Sequence, residues 1–158
     1  MNTIRVVRGT ATGPTEMSSY DAALAAANVH NYNLVPVSSV IPADAEVDPV
    51  GTAPDLGPAG ERLPVVAART SVAGPGRASA GLAWAVSEEG PGLFYEAAGE
   101  TGAEDVRDRV LEGLSTGQEL RNWSFDEASH EVATEPAEPG TYTSAVVLAV
   151  YGESESLF

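Results

Sequence analysis

The chain has 158 residues, 43% of them hydrophobic, which is enough for one buried core and argues against a disordered acidic tail. It contains no cysteine, and all eight of its basic residues are arginine; disulfides, thiolate metal sites, cysteine nucleophiles, a lysine-bound pyridoxal phosphate and a P-loop lysine are therefore excluded. With 23 acidic residues the formal net charge is −15, a field that repels nucleic acid and anionic membranes and attracts cations; it fits a surface adapted to high salt, the steering of a cationic substrate, or both.

In chain order, residues 1–8 are charged and lack the apolar stretch of a signal peptide, and no apolar run approaches the ~20 residues of a membrane span, so a cytoplasmic protein is expected. Residues 4–8 alternate enough for a first strand, and the glycines and Pro14 of 9–14 read as a turn. Residues 15–28 open on polar side chains and fill with Ala and Leu, predicting a helix. Residues 34–41 are a β-branched run, predicted as one strand interrupted at Pro36 and ended by Pro42. Residues 43–63, rich in Pro, Gly and acid, read as a surface loop.

Residues 63–70 and 79–87 are predicted strands around a turn at 73–77, and 92–97 a further short strand. Residues 103–116 place Val106, Val110, Leu111 and Leu114 on one helical face, the clearest helix in the chain. Residues 123–125 and 131–134 are weaker strand candidates, 142–151 is a strong buried strand, and 152–158 reads as a loose tail. Many strands with two helices predict a single α+β domain, a layered αββα sandwich with mostly antiparallel sheets.

The usual catalytic motifs are missing. His30 and His130 have no metal-binding spacing, and neither GxSxG nor a GxGxxG after a strand occurs; Gly74-Pro75-Gly76 reads as a turn rather than a phosphate cradle. No metal is expected. What remains is the segment Asn31-Tyr32-Asn33-Leu34-Val35-Pro36-Val37-Ser38-Ser39-Val40-Ile41-Pro42. Taken alone, its Ser38-Ser39 pair reads first as two strand hydroxyls satisfied by neighbouring backbone.

That segment, continued by Ala45 and Glu46, resembles the Asn-x-Asn-Leu…Ser-Ser stretch of the pyruvoyl-dependent arginine decarboxylase family. The likeness extends upstream to Tyr20-Asp21-Ala22-Ala23-Leu24. Downstream it continues through Gly92-Leu93-Phe94-Tyr95-Glu96 and Glu119-Leu120-Arg121-Asn122-Trp123 into the last apolar strand, so it spans nearly the whole chain in order. The Ser-Ser stretch is specific, while the downstream pieces are individually weak but mutually supporting. Pro36, and the Ala97-Ala98-Gly99 that follows Glu96, depart from the family pattern and bear on pocket shape.

The resemblance implies self-cleavage between Ser38 and Ser39 into residues 1–38 and 39–158. Ser39 Oγ attacks the Ser38 carbonyl, the amide becomes an ester, and elimination followed by hydrolysis leaves a covalent pyruvoyl group at position 39. That carbonyl would stand in for the missing lysine, with no pyridoxal phosphate. By the same resemblance, Asn33 supports the acyl shift, though an Asx turn entering the strand is its plainer role. Glu96 would be the proton donor after decarboxylation, held protonated by an apolar setting of Leu93, Phe94 and Tyr95; a surface-facing strand glutamate is the alternative. Asp21 would pair with the substrate guanidinium, unless it is simply an exposed helix residue. The implied activity is decarboxylation of arginine to agmatine by a homotrimer or a pair of trimers. The same chemistry on another cationic amino acid such as histidine, or an uncleaved structural homologue, stand as alternatives.

Overall fold

The structure is a computed structural model describing residues 2–158. It has four layers: α1 (Glu16–Ala26), a five-stranded sheet, a four-stranded sheet, and α2 (Ala103–Gln118). The first sheet runs in the order β2 (Asn33–Pro36), β5 (Arg62–Ala73), β9 (Tyr142–Tyr151), β1 (Asn2–Gly13), β4 (Ala45–Gly51). The second runs β3 (Val40–Ile41), β7 (Gly92–Glu100), β6 (Gly76–Val86), β8 (Ser129–Ala137). All pairings are antiparallel except the two outermost of the first sheet, β2 with β5 and β1 with β4. The expected αββα sandwich is what forms.

Strand β9 shows why the layers stack. Its alternate residues Ala145, Val147 and Ala149 face the second sheet, while Val146, Leu148 and Val150 face α1. Both faces are buried, so an unbroken apolar run is the sequence such a strand needs. A third cluster, Ala83, Ala85 and Leu93 against Val106, Val110 and Leu114, seats α2 on its sheet. Leu111, expected on that face, is only partly buried at its margin.

Several predicted elements are corrected. Residues 9–14 are no turn: β1 continues to Gly13, and its glycines are where α1 comes closest, since a Cβ on Gly9 would run into the Ala23 carbonyl oxygen. The loop at 43–63 contains β4, an edge strand whose Pro49 sits beside a bulge in the pairing with β1, the kind of position where a sheet tolerates proline. Residues 123–125 form no strand; Trp123 and Phe125 pack on the α2 core, and Phe125 makes one bridge to Ser87. The tail is pinned: Ser154 N–H donates to the Leu56 carbonyl (2.9 Å), and Glu155 exchanges backbone bonds with Arg62 and pairs with its guanidinium (2.9 Å). Among the described residues no helix is long and apolar enough to cross a membrane.

The most consequential correction concerns residues 34–41. They form two strands in different sheets, β2 in the first and β3 in the second, and residues 37–39 cross between the layers. The Ser38–Ser39 peptide lies in that crossing.

Candidate active site

The crossing is held at both ends by backbone bonds. Val37 N–H donates to the Val65 carbonyl (3.0 Å) on the β2 side, and the Ser39 carbonyl accepts from Phe94 N–H (2.9 Å) on the β7 side. Pairing of β3 with β7 covers only Val40↔Leu93 and Ile41↔Gly92, so on that edge β7 has no strand partner from Phe94 onward, Glu96 included. Alternation along β7 sends Leu93 toward α2 and Phe94 toward the inter-sheet core; Glu96 shares the Phe94 side. It thus points back at the crossing, and Ser39 Oγ donates to Glu96 Oε2 at 3.2 Å.

These residues line a pocket of about 340 Å³ with Ser38, Val40, Leu93, Tyr95, and Gly113, Leu114, Gly117 and Arg121 from the α2 side. Tyr95 lies over Gly113, where a Cβ would collide with its ring. An adjoining cleft of about 520 Å³ shares Tyr95, Glu96, Gly113 and Gly117 and adds Arg109, Glu112 and Leu120. Among the described residues Arg121 is the one cation lining the Ser39 pocket; its Nη1 donates to the Gly117 carbonyl (2.9 Å).

Beneath the crossing lies an aromatic row, Trp84–Phe94–Tyr151, with ring centroids 6.2 and 6.3 Å apart. Tyr151 ends β9, reaches across from the first sheet, and donates its hydroxyl to the Val40 carbonyl at 2.9 Å. Burial, and after it the charge of Glu96, push the Tyr151 hydroxyl up to about 12, so it remains a donor throughout the neutral range.

Of the residues singled out from the sequence, Ser38, Ser39 and Glu96 come together. Asn33 and Asp21 do not line this pocket. Asn33 begins β2, and its side-chain amide donates to the Gly60 carbonyl at 2.8 Å. Asp21 is exposed on α1, across the first sheet from the second. The apolar setting expected for Glu96 is only partly built within one chain: Leu93, Phe94 and Tyr95 border its pocket, but Leu93 and Phe94 are largely taken up by the cores, Glu96 is exposed and Tyr95 is 41% exposed. The sequence does not mark Tyr151 or Gly113 as residues of this site. Both reach the site through contacts between distant elements, and the sequence signal for Tyr151 is only an aromatic polar end on an apolar strand. Among the described residues there is no cluster of three or more metal-ligating side chains.

The sequence model of the family described as "Pyruvoyl-dependent arginine decarboxylase (PvlArgDC)" matches residues 3–156. The chain is 58% identical over 158 residues to a pyruvoyl-dependent arginine decarboxylase of Halobacterium salinarum, covering all of this chain and 99% of the relative. It is 35% identical over 147 residues to the protein of that name in Pyrococcus horikoshii (89% and 90% of the two chains). For Methanocaldococcus jannaschii the figures are 31% over 128 residues (79% and 75%).

Proposed function

The chain belongs to the pyruvoyl-dependent arginine decarboxylase family, and from that premise we propose that it cleaves itself between Ser38 and Ser39 and then decarboxylates L-arginine to agmatine and carbon dioxide. It is a decarboxylase with a covalent pyruvoyl cofactor, and the residues around position 39 suit such a group: a hydroxyl aimed at a carboxylate, in a pocket open to a small amino acid. The pyruvoyl carbonyl supplies the electrophile that takes the substrate amine and the electron pair released with carbon dioxide.

The chain's own side chains do the rest. The observation that carries the proposal is the 3.2 Å contact from Ser39 Oγ to Glu96 Oε2 at the crossing between sheets. In self-cleavage Glu96 accepts the Ser39 hydroxyl proton, and in turnover it returns a proton to the substrate α-carbon from the same position. Asn33 supports the crossing from a distance, by tying the start of β2 to Gly60. Cleavage leaves residues 1–38 and 39–158 interleaved in one sandwich, since β1 and β2 of the first fragment pair with β4, β5 and β9 of the second.

The active assembly is a homotrimer, or a pair of trimers, in which a neighbouring copy completes the pocket. Exposed apolar side chains flank the crossing on this face: Val35, Val37, Val40 and Tyr95, each about two-fifths exposed. Covering them would also complete the apolar setting of Glu96, and would let Asp21 of one copy meet the guanidinium bound in another. A cytoplasmic location fits an enzyme that acts on a free amino acid.

Intact-mass analysis of the purified chain tests the first half of this reading. Two fragments divided between Ser38 and Ser39 are expected, and Ser39→Ala is expected to stay whole and inactive; a chain that remains uncut on long incubation removes the proposal. Carbon dioxide release across arginine, lysine, ornithine and histidine tests the second half. Arginine should be preferred, and Asp21→Asn should raise its KM; an unchanged KM removes Asp21 from its role.

A further inference from the structure

The hydrogen bonds around the crossing include one that strand pairing does not require. Val40 N–H donates to the Ser38 carbonyl oxygen at 2.8 Å, two residues back. This closes a γ-turn centred on Ser39, of the inverse kind since Ser39 has no positive φ. The acceptor is the carbonyl that self-cleavage attacks. The Val40 N–H therefore sits where negative charge would develop.

Val40 lies at the outer edge of β3, where no strand orders it from that side. Its N–H turns to Ser38, and its carbonyl is taken by the Tyr151 hydroxyl at 2.9 Å. Tyr151 is itself fixed by the β1–β9 pairing, in which it faces Ile4, and by its edge contact with Phe94. Phe94 N–H holds the Ser39 carbonyl. Two consecutive carbonyls are thus gripped from the two sheets, and the turn between them presents one donor to the scissile carbonyl.

Resting on the self-cleavage reading above, we propose that the Val40 backbone N–H is the oxyanion donor of the cleavage step and that Tyr151 is the positioning residue that keeps it there. Ser39 Oγ passes its proton to the Glu96 carboxylate and bonds to the Ser38 carbonyl carbon, and the π pair moves onto the oxygen that Val40 N–H contacts. When the adduct collapses, the C–N bond breaks and the Ser39 nitrogen takes the proton back from Glu96. An ester and a free amine result, with no other reactant consumed. Elimination and hydrolysis by water follow and do not use this donor. A hydroxyl that stays protonated well above neutrality suits the clamp.

Outright loss of an oxyanion donor costs about 10²–10³ in rate, and loosening one costs less. Tyr151→Phe keeps the ring against Phe94 and removes only the grip on Val40, so its cleavage half-time should lengthen about tenfold. The time course is followed by intact mass from fresh, uncut chain, with and without hydroxylamine, which cuts the ester as soon as it forms. A defect in the acyl shift slows both courses alike. Trp84→Phe loosens the same aromatic row while sparing the hydroxyl, and should cleave at the wild-type rate.

Three outcomes overturn the inference alone. One is wild-type cleavage by Tyr151→Phe. Another is slowing of Tyr151→Phe and Trp84→Phe in proportion to their loss of melting temperature. The third is slow spontaneous cleavage with undiminished hydroxylamine cleavage, which would put the defect after the ester. A wild-type chain that stays uncut, with hydroxylamine as well, overturns the cleavage reading and this inference with it.

Discussion

The two helices do the same architectural job on opposite faces of the sandwich, yet only one borders the chemistry. Helix α1 presses onto its sheet through β1 glycines: a Cβ at Gly9 would meet the Ala23 carbonyl oxygen, and one at Gly13 would meet Ser18 Oγ at 2.6 Å and Ser19 N at 2.9 Å. Apart from the Ser18 hydroxyl and the Ala26 methyl, what these glycines face is helix backbone. Helix α2 carries its own glycine toward the sheet, Gly113, and a half-exposed Tyr95 ring fills the space. Beside that ring, β3 pairs for only two residues and the edge of β7 opens. Close packing makes α1 a wall. The looser seat of α2 makes a pocket that reaches Ser39 and Glu96.

Altering the chemistry on the α2 side tests the contrast most strongly. Glu96→Gln keeps an oxygen acceptor for Ser39 but cannot take its proton, so cleavage should slow. The cleaved fraction should release carbon dioxide about 100-fold more slowly than wild type, within the range set by loss of a positioned acid or base. Its melting temperature should stay close to wild type, because Glu96 is exposed. Turnover per cleaved chain at the wild-type rate would make the α2 side a wall like the other.

The wall itself comes next. Gly9→Ala must displace a helix backbone and should cost about 2 kcal/mol, seen as a fall of about 4–8 °C in melting temperature. Gly113→Ala meets only a ring that can swing outward, and it gains helix propensity, so its stability should stay within about 1 kcal/mol of wild type. Its effect should instead appear as a raised KM, because Tyr95 lines both the Ser39 pocket and the adjoining cleft. Equal losses of stability in the two variants would erase the distinction.

Legibility in the sequence followed the same divide between local pattern and distant contact. Residues 142–151 form a strand with the predicted bounds, because a chain buried on both faces needs an unbroken apolar run and Gly140 and Gly152 frame it. The four-residue spacing of Val106, Val110 and Leu114 likewise marks the buried face of α2. Residues 34–41 could not be resolved that way. Both halves are extended and apolar, and a change of sheet at residues 37–39 leaves no mark on either periodicity. Gly9 and Gly13 read as turn residues because their reason, the approach of α1, lies elsewhere in the chain.

The site divides similarly. Ser38, Ser39 and Glu96 stand in recognisable motifs and are neighbours in the fold. Tyr151, 111 residues from the carbonyl it holds, had no local signature. Asp21 and Asn33 stand outside the pocket of their own chain, as expected if a second copy or an indirect tie completes their roles.

The smallest test concerns how the helices begin. At α1, Thr15 accepts from the Ser18 N–H (3.0 Å) while Ser18 Oγ accepts from the Thr15 N–H (3.1 Å), so two otherwise unpaired donors are satisfied reciprocally. At α2 the N-cap is Gly102, which makes no side-chain bond, and a Cβ there would meet nothing within 4 Å. Thr15→Ala should therefore cost about 1 kcal/mol, or about 2–4 °C. Gly102→Ser should gain a few tenths of a kcal/mol, because glycine is already a tolerable cap and the new hydroxyl only adds an acceptor for a first-turn N–H. Thermal melts of the two variants check both signs. If Gly102→Ser proves destabilising instead, the bare start of α2 is required by its surroundings, and the two helices differ at their N-termini for a reason other than capping.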